Sequence, residues 1–95
     1  MQAINRIAGQ GGTYNWASTS AYTSGAGSKR AVYAIVFDTD NEVDALEIDG
    51  VNVLADYGFT AGDAVVAGTV IFAEANKAFT KITLGVAAQA TFYRV

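Results

Sequence analysis

From residue 31 to the end, apolar residues come in short runs, and a turn signal interrupts them roughly every 8–12 residues. No stretch of useful length repeats with the helical period. A chain patterned in this way folds as short strands, and strands at that spacing close into a sandwich or a barrel. Residues 31–38 (AVYAIVFD) are β-branched and aromatic and apolar at both parities, which suits a central strand covered on both faces. Residues 44–48 and 51–55 flank Asp49-Gly50. Asp-Gly between two apolar runs is a strong hairpin signal, because a type I′ turn needs positive φ at both central residues. Residues 57–63 form a turn-rich connection. Residues 64–73 (AVVAGTVIFA) read as one strand with Gly68 as a bulge or close-approach point. Residues 79–84 (FTKITL) alternate, Gly85 breaks them, and residues 89–95 make a last strand. The expected fold class is all-β: a small antiparallel sandwich or barrel of about six strands, carrying an extended N-terminal arm.

The arm is residues 1–30, and the β domain is residues 31–95. The first segment holds five of the ten glycines, every serine, and the aromatics Tyr14, Trp16 and Tyr22. It carries Arg6, Lys29 and Arg30 with no acid, a charge of +3. The rest carries three basic residues against all nine acids, a charge of −6. Gly/Ser-rich sequence is ordinarily linker, but a disordered tail is poor in aromatics. Two readings stay open at this point. The segment supplies irregular strands to its own domain, or it is an arm that orders on a neighbouring subunit. Under the second reading, Tyr14, Trp16, Tyr22, Lys29 and Arg30 are the partner-binding residues, and removing residues 2–20 leaves the β body folded.

Composition narrows the chemistry. There is no cysteine and no histidine, so disulfides, thiolate zinc sites and triads built on imidazole are excluded. The longest apolar run, residues 31–37, is far short of the ~20 residues that span a bilayer. No apolar segment follows Arg6, so no secretory leader is expected, and synthesis in a cytoplasm is. A body of −6 repels phosphate, which argues against nucleic acid. Gly25-Ala26-Gly27-Ser28-Lys29 and Gly9-Gln10-Gly11-Gly12 lack the strand and helix that phosphate loops require. Six carboxylates fall in residues 38–49, at positions reminiscent of a calcium loop. However, Val43 stands where that loop has glycine and Asp49 where it has Glu, so the expectation is a solvated acidic loop. No cofactor is expected. Paired carboxylates can hydrolyse glycosides, but so small a β body offers little cleft, and no enzyme is expected.

What remains is apolar surface. Only 16% of residues are charged, and 18 alanines and many valines leave small, flat side chains. A sheet apolar on both faces must be covered on both, and no proline guards an edge. Self-association or docking onto a larger assembly meets that need.

Gly68-Thr69-Val70-Ile71, then Phe79-Thr80-Lys81-Ile82-Thr83-Leu84, a glycine break, and a terminal Thr91-Phe92-Tyr93-Arg94 resemble small β-rich virion proteins of tailed bacteriophages, of the head-decoration, cement or head-fibre kind. The resemblance covers about residues 58–95. It implies a capsid decoration protein, often a homotrimer, that sits on the virion exterior and bridges subunits of the major capsid protein. It carries over no catalytic or ligand position. Two other readings remain: a receptor- or glycan-binding fibre or adhesin module, for which Tyr57 and Phe59 beside Asp56 are the candidates, and a neck or tail component.

Overall fold

The computed structural model describes residues 12–25 and 29–95. Within them lie nine strands: β1 (Thr13–Trp16), β2 (Tyr22–Thr23), β3 (Val32–Phe37), β4 (Asn41–Ile48), β5 (Val51–Asn52), β6 (Asp63–Val65), β7 (Val70–Phe72), β8 (Lys81–Leu84) and β9 (Ala90–Arg94). All pairings are antiparallel. A four-stranded sheet has the order β1-β9-β3-β7. A five-stranded sheet has the order β2-β8-β4-β5, with β6 pairing the other end of β4. The chain forms two sheets rather than a closed barrel. Their inner faces share one core that includes Phe37, Phe92, Ile35 and Ile71 from the first sheet and Leu46, Ile82, Leu84 and Val43 from the second.

Nine strands replace the expected six for two local reasons. Residues 64–73 do not run through as one strand. Gly68 has φ of 90°, and its N–H donates to the Phe37 carbonyl while the Thr69 N–H donates to the Val66 carbonyl. The Ala67 N–H is held by Asp40 Oδ1 at 2.9 Å. Gly68 is therefore a turn, and β6 and β7 fall in different sheets. The other two strands come from the N-terminal segment. Of the two readings of that segment, the described residues follow the first: β1 pairs β9 along four residues and β2 pairs β8. Residues 1–11 and 26–28, including Arg6 and most of both glycine-rich motifs, lie outside the described residues.

The Asp49-Gly50 hairpin forms as its chemistry requires, with φ of 52° and 83° at the two residues. Past it the chain does not stay extended to residue 55. The Asn52 Oδ1 accepts the Leu54 N–H at 2.9 Å and starts a short 3-10 turn, Leu54–Tyr57, which Gly58 closes in the left-handed region. The acidic stretch is a strand over most of its length rather than a loop. Asn41, almost fully buried at its start, donates from Nδ2 to the Ala88 carbonyl and accepts at Oδ1 from the Glu42 and Val86 N–H groups. That one amide ties the connection between β8 and β9 to the edge of β4.

Candidate interaction surface

Of the five residues expected to bind a partner, Tyr14, Trp16, Tyr22 and Lys29 pack against their own domain, and Arg30 is exposed. Tyr22 is fully buried. Its hydroxyl donates to the Arg30 carbonyl at 2.7 Å and accepts the Arg30 N–H at 3.1 Å. Its ring meets Phe92 edge-on at 4.9 Å and Trp16 at 5.3 Å. Tyr14 adds a third ring 5.5 Å from Tyr22. Strand parity explains this: Tyr14 stands opposite Phe92 and Trp16 opposite Ala90, so both side chains cover the core-facing side of β9. Lys29 Nζ lies 5.6 Å from the centre of the Trp16 ring, and the Arg94 guanidinium lies 5.5 Å from that of Tyr14. Such cation–π contacts seal the rim of the cluster. Tyr22 is corrected from a partner contact to a core residue, because no part of it is left to touch. Tyr14, Trp16 and Lys29 are half-buried against their own domain, and Arg30 is exposed. The Trp16 Nε1 is buried and finds no acceptor among the described residues.

Burial shapes the ionisation of two phenols. It pushes Tyr22 above the ordinary tyrosine value; the backbone bond from Arg30 and the charge of Arg94 pull the other way, and Tyr14 adds to the rise. Tyr33 is raised by burial and by neighbouring Tyr93.

Exposed apolar side chains lie on the far side of the same sheet. Register sets two rows there. One runs Thr13, Tyr93, Ala34, Phe72, and the other Asn15, Thr91, Val36, Val70. Directly opposed residues in antiparallel strands share a face, and Ile35, Ile71 and Phe92 between them point into the core. None of the eight side chains is charged. Phe72 is 46% exposed and Val70 43%. A bulge between Val32 and Ala34 brings Tyr33 beside Tyr93, with ring centres 6.2 Å apart. β7 ends this sheet, so its outer edge pairs with no strand among the described residues. The sequence signal for this surface was the double-sided apolarity of residues 31–38; the residues that expose it, Val70 and Phe72, lay hidden within the longer run.

The glycan candidates separate. Tyr57 packs edge-on against Phe79 at 5.2 Å, and its hydroxyl accepts the Glu74 N–H at 2.9 Å. Phe59 lines an open hollow of about 430 Å³ that Tyr57 and Asp56 do not reach. The carboxylates of residues 38–49 take separate partners or none: Asp38 accepts from the Thr91 hydroxyl at 2.7 Å, Asp40 from Ala67, and Glu47 lies 3.9 Å from Lys81 Nζ. Among the described residues no three carboxylates gather as a metal would need. Among them, too, no helix is long and apolar enough to cross a membrane.

Comparison with protein-family profiles, with curated proteins and with solved structures finds no match for this chain.

Proposed function

We propose that this chain is a structural protein of a tailed-phage particle, a decoration protein that lies on the head exterior and bridges major capsid protein subunits, itself associated as a homotrimer. The observation that carries the reading is the exposed apolar part of the outer face of the four-stranded sheet, centred on Val36, Val70 and Phe72, with one carboxylate, Asp38, beside it at Thr91. Contiguous apolar surface on a small domain marks a place where other protein docks, and further exposed valines (Val51, Val66, Val86, Val95) extend the same character elsewhere. The resemblance over residues 58–95 supports the setting, since it includes both Val70 and Tyr93. The N-terminal aromatics are not the anchor in this form of the proposal; the β7 side of the sheet is.

The mechanism is burial at seams. At about 25 cal/mol per Å², a contact of about 1,000 Å² has a large gross term, of which ordering and desolvation cancel most. Repetition over many equivalent sites makes a modest contact decisive for a shell.

Electron cryomicroscopy and mass spectrometry of purified parent particles test this. The expected result is density for the chain over coat seams, with Phe72 and Val70 buried against coat protein or a second copy. Particles that lack the chain overturn the virion role. A chain found at the neck or tail overturns the head assignment.

A further inference from the structure

The second sheet carries a different kind of surface. The β4–β8 register slips between Val43 and Ala45, and the residue left over is Asp44. A bulge re-aims the side chain of its extra residue and is a recurrent device beside binding sites. Asp44 is exposed, and among the described residues its carboxylate has no hydrogen-bond or ion-pair partner. Two glycines lie against it: a Cβ on Gly85 would stand 2.7 Å from Glu42 Oε1 and 3.2 Å from Asp44 Oδ1, so the Glu42 carboxylate borders the same corner, and one on Gly62 would stand 4.0 Å from Asp44 Oδ1.

This carboxylate forms one wall of the hollow of about 430 Å³, with Asn52, Phe59, Thr60 and the small Ala55 and Ala61 around it. The Asn52 amide is oriented, because its Oδ1 accepts the Leu54 N–H. Its Nδ2 is left with two donors. The Thr60 N–H donates to Asp63 Oδ2 at 2.8 Å, which holds the loop while the hydroxyl stays available as donor or acceptor. Phe59 is half-buried and tied through its N–H to the Leu54 carbonyl. The set is therefore one acceptor pair, one donor pair, one hydroxyl and one aromatic ring on small-residue ground. Concave sites that fix a ligand with a few convergent polar groups on an apolar lining have this make-up.

We propose that the hollow binds a neutral sugar ring. Adjacent hydroxyls of a pyranose donate to the two oxygens of Asp44 and accept from Asn52 Nδ2, and its apolar C–H face rests on Phe59. The lining has no basic residue, so a phosphate finds no counter-charge there. A guanidinium or amine would pair with Asp44 but would face the donors of Asn52. This site belongs to the other sheet from the docking face, and its fate is separate from that of the coat-docking reading.

The test is a titration of the full chain, followed by amide resonances, with glucose, galactose, mannose and N-acetylglucosamine, and with arginine as the cationic control. Expected are saturable shifts at Asn52, Leu54 and Thr60 with at least one sugar, with Kd in the millimolar range. Asp44→Asn and Phe59→Leu should each weaken that binding about tenfold, and Thr60→Ala, a surface change, gives a third variant that retains the fold. Saturation by none of the four sugars, unchanged affinity in all three variants, or shifts with arginine alone would overturn the assignment.

Discussion

The two faces of the four-stranded sheet are built from similar residues and put to opposite use. On the inner face, Tyr14, Trp16 and Phe92 pack with Tyr22, which β2 brings from the other sheet, at ring-centre distances of 4.9–6.3 Å, and Lys29 and Arg94 seal the rim. On the outer face, Val70 and Phe72 remain nearly half exposed on an edge strand. Aromatic content alone does not say which face the chain buries itself. What separates the two is whether the chain's own strands reach the ring. The five-stranded sheet, with β2 at its edge, covers the inner face, and no described strand covers the outer one.

The largest test of this contrast is Tyr22→Ala. It empties a fully buried ring site and removes both hydrogen bonds to Arg30. The expected loss is about 3–5 kcal/mol in unfolding free energy, measured by guanidinium denaturation. Removal of residues 2–20 should likewise destabilise the body, since it takes away β1 and uncovers Phe92. If either variant melts like the parent, the N-terminal segment is an arm after all and the inner face is not its own core.

Next comes Phe72→Lys on the outer face. An anchor in a docking patch is worth about 2 kcal/mol or more, roughly a thirtyfold loss of affinity. Its unfolding free energy should stay within about 0.5 kcal/mol of the parent. Binding of the variant to stripped parent particles measures the first quantity, and denaturation the second. Full docking by the variant would remove the outer face from the interface.

Why one face was legible in the sequence and the other was not follows from how local each signal is. Asp49-Gly50 announced its turn because the dipeptide itself favours the required φ values. Residues 31–38 announced a strand covered on both sides because apolarity at both parities has few other uses. β1 gave no such signal. Thr13, Tyr14 and Asn15 follow two glycines, and the partner that makes them a strand, β9, lies more than seventy residues away. Valines on both sides of Gly68 mask a full turn as an irregularity within one strand; the Asp40 carboxylate, reaching Ala67 from the neighbouring connection, holds that turn. Of the second site, Phe59 was noticed from its type, while Asp44 was one acid among six until the β4 bulge singled it out.

A smaller effect probes the rim of the inner cluster. Lys29→Ala removes the cation above Trp16 and should cost about 0.5–1 kcal/mol. Trp16→Phe keeps an aromatic surface and deletes the Nε1 donor that has no acceptor among the described residues. It should therefore cost little, because the donor it deletes already carries a penalty in the parent, whereas Trp16→Ala also loses the packing of the ring. A loss of about 1–3 kcal/mol in Trp16→Phe would mean that the indole nitrogen is satisfied.

The smallest effect is in the alkaline range, and it distinguishes the faces by ionisation. Tyr22 on the inner face and Tyr33 beside the outer one both have folded-state values raised above 10.0, in each case chiefly by burial. A raised value means that folding favours the neutral phenol. That contribution to stability is complete below the unfolded value and is lost as pH rises through the folded one. Stability should therefore be insensitive to these groups up to about pH 10 and fall above it, and Tyr22→Phe and Tyr33→Phe should each flatten the fall. Docking adds the asymmetry. Covering the outer face desolvates Tyr33 further and moves its ionisation higher still, while Tyr22, already sealed by its own chain, stays where it was. An absorbance titration of the free and the docked chain in which both phenols move together would mean that the two faces are not independent.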